Sequence, residues 1–114
     1  MRFAMIPLMI LLAQAPMLAQ PAPPLAVRSI VIRPHGFEPP RMNVRAGRVL
    51  IAVHNLSTLP DVFLEVSREG TLVHAAEIRR GRRATRQIFV LTAGTYVVSD
   101  RRIPRWSCRI TVTP

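Results

Sequence analysis

The chain of 114 residues has no lysine, one cysteine, six acidic side chains, one tryptophan, one tyrosine and four phenylalanines. Each scarcity excludes something. A lone thiol, Cys108, cannot close an internal disulfide or supply paired-cysteine zinc spacing. Five glycines form no glycine-rich phosphate loop, and His35, His54 and His74 share no metal-ligand spacing. No Ser-His-Asp order or paired acid/base spacing stands out, so the residues point away from an enzyme. Sparse aromatics deny the arginines the stacking partners that nucleic-acid binding uses, and nucleic acid is not an expected partner. The apolar run from Phe3 to Leu12, broken by Pro7, is shorter than the roughly 20 residues a spanning helix needs.

What is present begins with that run. Met1 and Arg2 precede it and small residues Ala13, Ala15 and Ala19 follow, the pattern of a secretory signal peptide over residues 1–19. Cleavage after Ala19 is preferred to cleavage after Ala15, where Pro16 would hinder the peptidase; an uncleaved, membrane-tethered form is the alternative. A periplasmic or secreted location follows. Residues 20–25, with Pro21, Pro23 and Pro24, read as an extended lead-in. One modest domain, residues 26–114, remains, and it must be held by packing alone.

In that domain alternation replaces helical periodicity. Arg41 to Arg45 reads polar-apolar-polar-apolar-polar, and Ser107 to Thr113 puts Cys108, Ile110 and Val112 on one face. Val49 to Val53 is apolar on both faces, as a central strand should be. Further strands are expected over about 27–33, 61–67, 72–78, 85–91 and 95–99. Turn residues separate them at Pro39-Pro40, Ser57 to Pro60, Glu69-Gly70, Arg80-Gly81-Arg82 and Ala93-Gly94. Seven or eight short strands without room for crossover helices predict an all-β, Greek-key antiparallel β-sandwich.

All 16 basic side chains are arginine, for a formal charge of +10. A genome-wide bias accounts for the missing lysine as well as function does. Such a surface still draws anionic partners. Arg79, Arg80, Arg82, Arg83 and Arg86 crowd one turn, and Arg101, Arg102 and Arg105 another. They are either solvated loops or a docking surface for an acidic protein or an anionic membrane. Asn55-Leu56-Ser57 fits both a glycosylation sequon and a turn.

Several stretches, in order, resemble cupredoxins: Gly36-Phe37-Glu38-Pro39, then Met42 to Gly47; Val49 to Asn55, ending on an asparagine; Gly94-Thr95-Tyr96; and Cys108 to Val112. The layout from Asn55 to Phe63, the turn near Gly81 and Gly94-Thr95-Tyr96 is similar to the EfeO-type cupredoxin group, which is linked to iron uptake. The resemblance implies a cupredoxin-like sandwich, and in that family two histidines, a cysteine thiolate and usually a methionine hold copper. The corresponding positions here are Asp61, Asp100, Ile103 and Trp106. All four ligands are therefore replaced, and Cys108 reads as a small core residue. Type 1 copper is not expected, and the implied role is a monomeric accessory or binding module.

The alternative is a carrier that binds an iron or copper ion for metal transport through Asp61, Asp100 and His54, because hard carboxylates suit oxygen-preferring cations. Against it, Arg101, Arg102 or Arg105 can pair with those carboxylates as bidentate forks. Trp106 either plugs the vacated site or is exposed for docking. Tyr96 reads as a tyrosine corner.

Overall fold

The computed structural model describes residues 24–81 and 83–114. The leader, the lead-in up to Pro23 and Arg82 lie outside the described residues. Nine strands follow in order: β1 Ala26–Arg33, β2 Gly36–Glu38, β3 Arg41–Arg45, β4 Gly47–Asn55, β5 Asp61–Arg68, β6 Thr71–Arg79, β7 Thr85–Leu91, β8 Gly94–Asp100 and β9 Ser107–Thr113.

They form two facing sheets, one ordered β2-β1-β4-β7 and the other β3-β9-β8-β5-β6. Alternation decides which side chains face inward. β9 buries Cys108, Ile110 and Val112 and exposes Arg109 and Thr111. β4 buries Val49, Ile51 and Val53 while leaving Leu50 and Ala52 half-buried on its outer face, consistent with its central place between β1 and β7. The core between the sheets is built from β-branched and leucine side chains, with Phe37, Tyr96 and Trp106 as its aromatics. The Tyr96 hydroxyl meets the Thr92 N–H at 3.2 Å and the Thr92 Oγ1 at 3.3 Å, tying the turn before β8 to that strand.

The all-β sandwich is as expected, with two differences. The sheets are mixed, because β1 runs parallel to β4 and β3 parallel to β9. After β2 the chain crosses to the second sheet as β3, then returns as β4 beside β1 in the same direction. A ninth strand, β2, makes a short hairpin with β1, pairing Val31 with Glu38 and Arg33 with Gly36. It has three residues, too few for periodicity to register. Arg33 and Glu38 join across this hairpin at 2.6 Å, an exposed pair of small energetic weight.

The registers collect the functionally relevant loops at one end. Ile32 lies beside Asn55, Asp61 opposite Arg79, Val53 opposite Thr85, and Ser99 opposite Ser107. The loops after β1, β2, β4, β6 and β8 therefore all open at the same pole. Turns 46, 69–70 and 92–93 lie at the opposite pole.

Candidate functional site at the loop pole

The end of β4 organises this pole. Asn55 is fully buried, and all of its side-chain hydrogen-bonding groups are used. Its amide donates to the Leu59 carbonyl at 3.2 Å and to the Ile78 carbonyl at 3.0 Å. Its Oδ1 accepts from the Ser57 N–H at 3.0 Å and the Ser57 hydroxyl at 2.7 Å. Ser57 Oγ in turn accepts from Leu59 N–H at 3.1 Å. Because Ile78 lies on β6, in the other sheet, this amide clamps the two sheets together. A glycan cannot be attached to a nitrogen so enclosed, which removes the sequon reading and leaves the turn.

Asp100, at the end of β8, is fully buried as well. One carboxylate oxygen caps the next loop, accepting from Arg102 N–H at 2.6 Å and Ile103 N–H at 2.9 Å. The other oxygen has no partner among the described residues. Two backbone bonds, Trp106 N–H to Ile103 C=O at 2.9 Å and Asp100 N–H to Trp106 C=O at 3.2 Å, close the loop tightly. Trp106 is only 7% exposed and joins the core, and half-buried Ile103 packs against it. The exposed-docking reading of Trp106 is thereby corrected, since a ring packed inside cannot present itself to a partner. Gly36 sits alongside, where an added Cβ would come 3.7 Å from the indole.

The four positions matched to copper ligands share this pole. Asp100, Ile103 and Trp106 belong to one loop, and Asp61 is tied to it through its backbone carbonyl, which accepts from Arg102 Nη2 at 2.5 Å. The three metal candidates do not converge. Asp61 is in phase with half-buried Phe63 and Glu65, opposite to buried Val62 and Leu64, so it stands on the outer face of its sheet. Asp100 points inward. His54 stands on the outer phase of β4 in the other sheet, where its Nε2–H donates to the Gly81 carbonyl at 2.6 Å. Among the described residues no three His, Cys, Asp or Glu side chains gather.

The expected carboxylate–arginine pairs at Asp61 and Asp100 are also not formed. Among the described residues the arginine–carboxylate pair is Arg33–Glu38, with the His35 ring 3.6 Å from the same carboxylate. Backbone N–H groups, nearer than any guanidinium, take one oxygen of Asp100. Arg101 and Arg102 instead lie against the Phe63 ring, their guanidinium carbons 5.1 and 4.5 Å from its centre. Sequence reading missed this contact, although the period of two in Asp61-Val62-Phe63-Leu64 places Phe63 outside. Arg79, Arg80 and Arg83, with Glu77, line an open hollow of about 680 Å³ beside β6. Arg79, Arg80, Arg83, Arg101, Arg102 and Arg105 are all exposed and lack a carboxylate partner among the described residues.

Cys108 lies in β9, fully buried among apolar side chains, and burial pushes its thiol up to about 11. The folded state thus favours the neutral thiol. Stability from this group is present below the ordinary thiol range near 9 and falls as pH rises from there towards 11, because only the unfolded chain ionises readily. A shift of this size corresponds to about 2–3 kcal/mol by pH 11. Cys108→Ala should flatten that part of the stability–pH curve measured by urea unfolding. An unchanged slope would rule the linkage out.

No family model matches the chain, and no curated protein matches its sequence. Solved structures do match in shape. Auracyanin A from Chloroflexus aurantiacus, described as a "blue" copper protein, superposes with a TM-score of 0.64 at 14% identity, covering 79% of this chain and 100% of that one. The fold is the cupredoxin fold. Reduced auracyanin from Roseiflexus castenholzii gives a TM-score of 0.65 at 14% identity over 78% of this chain and 98% of its own. The purple cupredoxin from Nitrosopumilus maritimus gives 0.58 at 15% identity over 75% and 98%. Such identities carry the cupredoxin architecture and nothing further.

Proposed function

We propose that this chain is an exported, non-catalytic cupredoxin-fold binding module that holds no type 1 copper and docks on an anionic partner through its loop pole. Copper of that type needs a thiolate and two imidazoles around one point. The observation that supports the reading is what stands at the positions matched to the ligands: Trp106 and Ile103 pack into the core, and Asp100 is spent on capping its own loop. The soft donors lie elsewhere. Cys108 is sealed within β9, His54 is held on Gly81, and His74 meets Phe89 edge-on at 5.1 Å. Docking is supported by the uncompensated arginines, which repel one another and gain most from an external anion.

An accessory role beside an iron-uptake system, as in the EfeO-type group, belongs to the same proposal and rests on the Asn55–Phe63 and Gly94–Tyr96 resemblance. Titration with cupric ion tests the central claim. The expected result is no visible thiolate-to-copper absorption band in the folded protein. A band that disappears in Cys108→Ala would overturn the proposal.

A further inference from the structure

The kind of anion that suits the loop pole follows from what surrounds its arginines. Arg83 and Arg105 are exposed and make neither an ion pair nor a side-chain hydrogen bond among the described residues. Arg80 reaches only the Thr58 carbonyl at 3.3 Å, and the Arg101 and Arg102 guanidiniums rest on Phe63. Of the acidic side chains at this pole, Glu38 is taken by Arg33 and Asp100 is buried with one oxygen on its own loop, while Asp61 and Glu77 stand near the arginines without an ion pair to them among the described residues.

Amid this charge, Leu56 projects from the loop after β4 at 41% exposure. Exposed Pro34, Pro60 and Pro104 stand on neighbouring loop tips. Stable protein interfaces are anchored by buried aromatic side chains fitted into pockets, ringed by polar groups. Here Trp106, Tyr96 and Phe37 are buried in the core, and Phe63 is covered by two guanidiniums. An apolar loop tip set among cationic side chains is the composition of a surface that rests in the headgroup layer of a bilayer, the leucine entering it and the cations meeting the phosphates.

We propose that the loop pole docks on anionic phospholipid headgroups, with Leu56 entering the headgroup layer and the arginines meeting the phosphates. This rests on the docking reading above and names its partner. The sandwich would stand upright on the bilayer, with the turns at 46, 69–70 and 92–93 farthest from it.

The test is partition of the full chain between buffer and sedimented vesicles of phosphatidylcholine, with and without 30 mol% phosphatidylglycerol, a composition chosen to give a cell-like surface charge of roughly the size that attracts basic segments. Residues 1–23 are common to every variant, so the change in the anionic-minus-neutral difference from one variant to another reads the folded part. At about fivefold per arginine, Arg83→Gln/Arg105→Gln lowers that difference about 25-fold. The pair Arg45→Gln/Arg48→Gln removes the same charge at the opposite pole and should change it no more than about twofold to threefold at moderate salt. Leu56→Ser weakens vesicle binding severalfold and leaves retention on immobilised polyglutamate unchanged.

Equal losses for the two arginine pairs, or no preference for the anionic vesicles, would overturn the lipid assignment. If vesicles fail while the loop-pole pair alone loses polyglutamate retention, docking by this pole stands and its partner is an acidic protein. If retention also ignores which pole is altered, the docking reading falls with it.

Discussion

Asn55→Ala lowers the unfolding free energy by about 3–4 kcal/mol, the sum expected when several buried groups lose their partners at once. The substitution leaves the Leu59 and Ile78 carbonyls and the Ser57 N–H without the bonds that Asn55 supplies. It also severs the link between the end of β4 in one sheet and β6 in the other. Asn55→Asp is the informative companion. It keeps an oxygen for Ser57 but turns the donating amide into an oxygen aimed at two carbonyl oxygens, so it should cost at least as much. Ser57→Ala, which keeps the Asn55 clamp, should cost about 1 kcal/mol. Urea unfolding followed by the fluorescence of Trp106 measures all three, with m-values expected to stay constant. A loss below about 1 kcal/mol for Asn55→Ala would show that the clamp is dispensable.

Trp106→Ala costs about 3–5 kcal/mol, since it empties the largest apolar side chain from the pole. The indole lies within the core beside Gly36 and half-buried Ile103, and its backbone closes the 100–106 loop from both sides. Those backbone bonds survive the change, so the effect reads packing. Trp106→Met, a flexible apolar filler of smaller volume, should recover about half of the loss. Circular dichroism in urea is the appropriate measurement, because the fluorophore itself is removed. A cost under about 1.5 kcal/mol for the alanine variant would mean that the indole is not a packed part of the core. Domains of this size have total stabilities of about 5–15 kcal/mol, so either alanine variant removes a large share.

Much of this molecule is legible along the chain, for a specific reason. A strand buried on one face must alternate, so Ser107–Thr113 and Arg41–Arg45 were found with their observed bounds. Val49 to Val53 is apolar on both faces in sequence, yet its burial still alternates, with Leu50 and Ala52 only half-buried on the outer face. The same rule places Asp61 and Phe63 outside, because Val62, Leu64 and Val66 occupy the buried phase of β5. Asp100 shares its phase with Tyr96 and Val98, which places it inside. The separation of Asp61 from Asp100 was thus written in their neighbours, although a ligand search that matches positions to a family pattern overlooks it.

What stayed hidden depends on relations across space. Alternation is identical for parallel and antiparallel partners, so nothing local reveals that β1 and β4, or β3 and β9, run the same way. β2 has three residues and no period to detect. The partners of a charged side chain are equally invisible. Asp100 stands beside three arginines in sequence, yet backbone N–H groups claim it because the tight loop brings them closer.

By itself, then, the sequence determined the all-β class, the inward and outward faces of the clearly alternating strands, the scarcity of soft metal donors and the excess of arginine. These are properties of composition and period, which need no knowledge of neighbours. Tertiary structure alone decided that five loops meet at one pole, that Asn55 joins the sheets there, that Trp106 lies inside, and that six exposed arginines stand without carboxylate partners among the described residues. Those facts arise from strand order and register, which bring together residues far apart in the chain and which hydrophobic alternation does not encode.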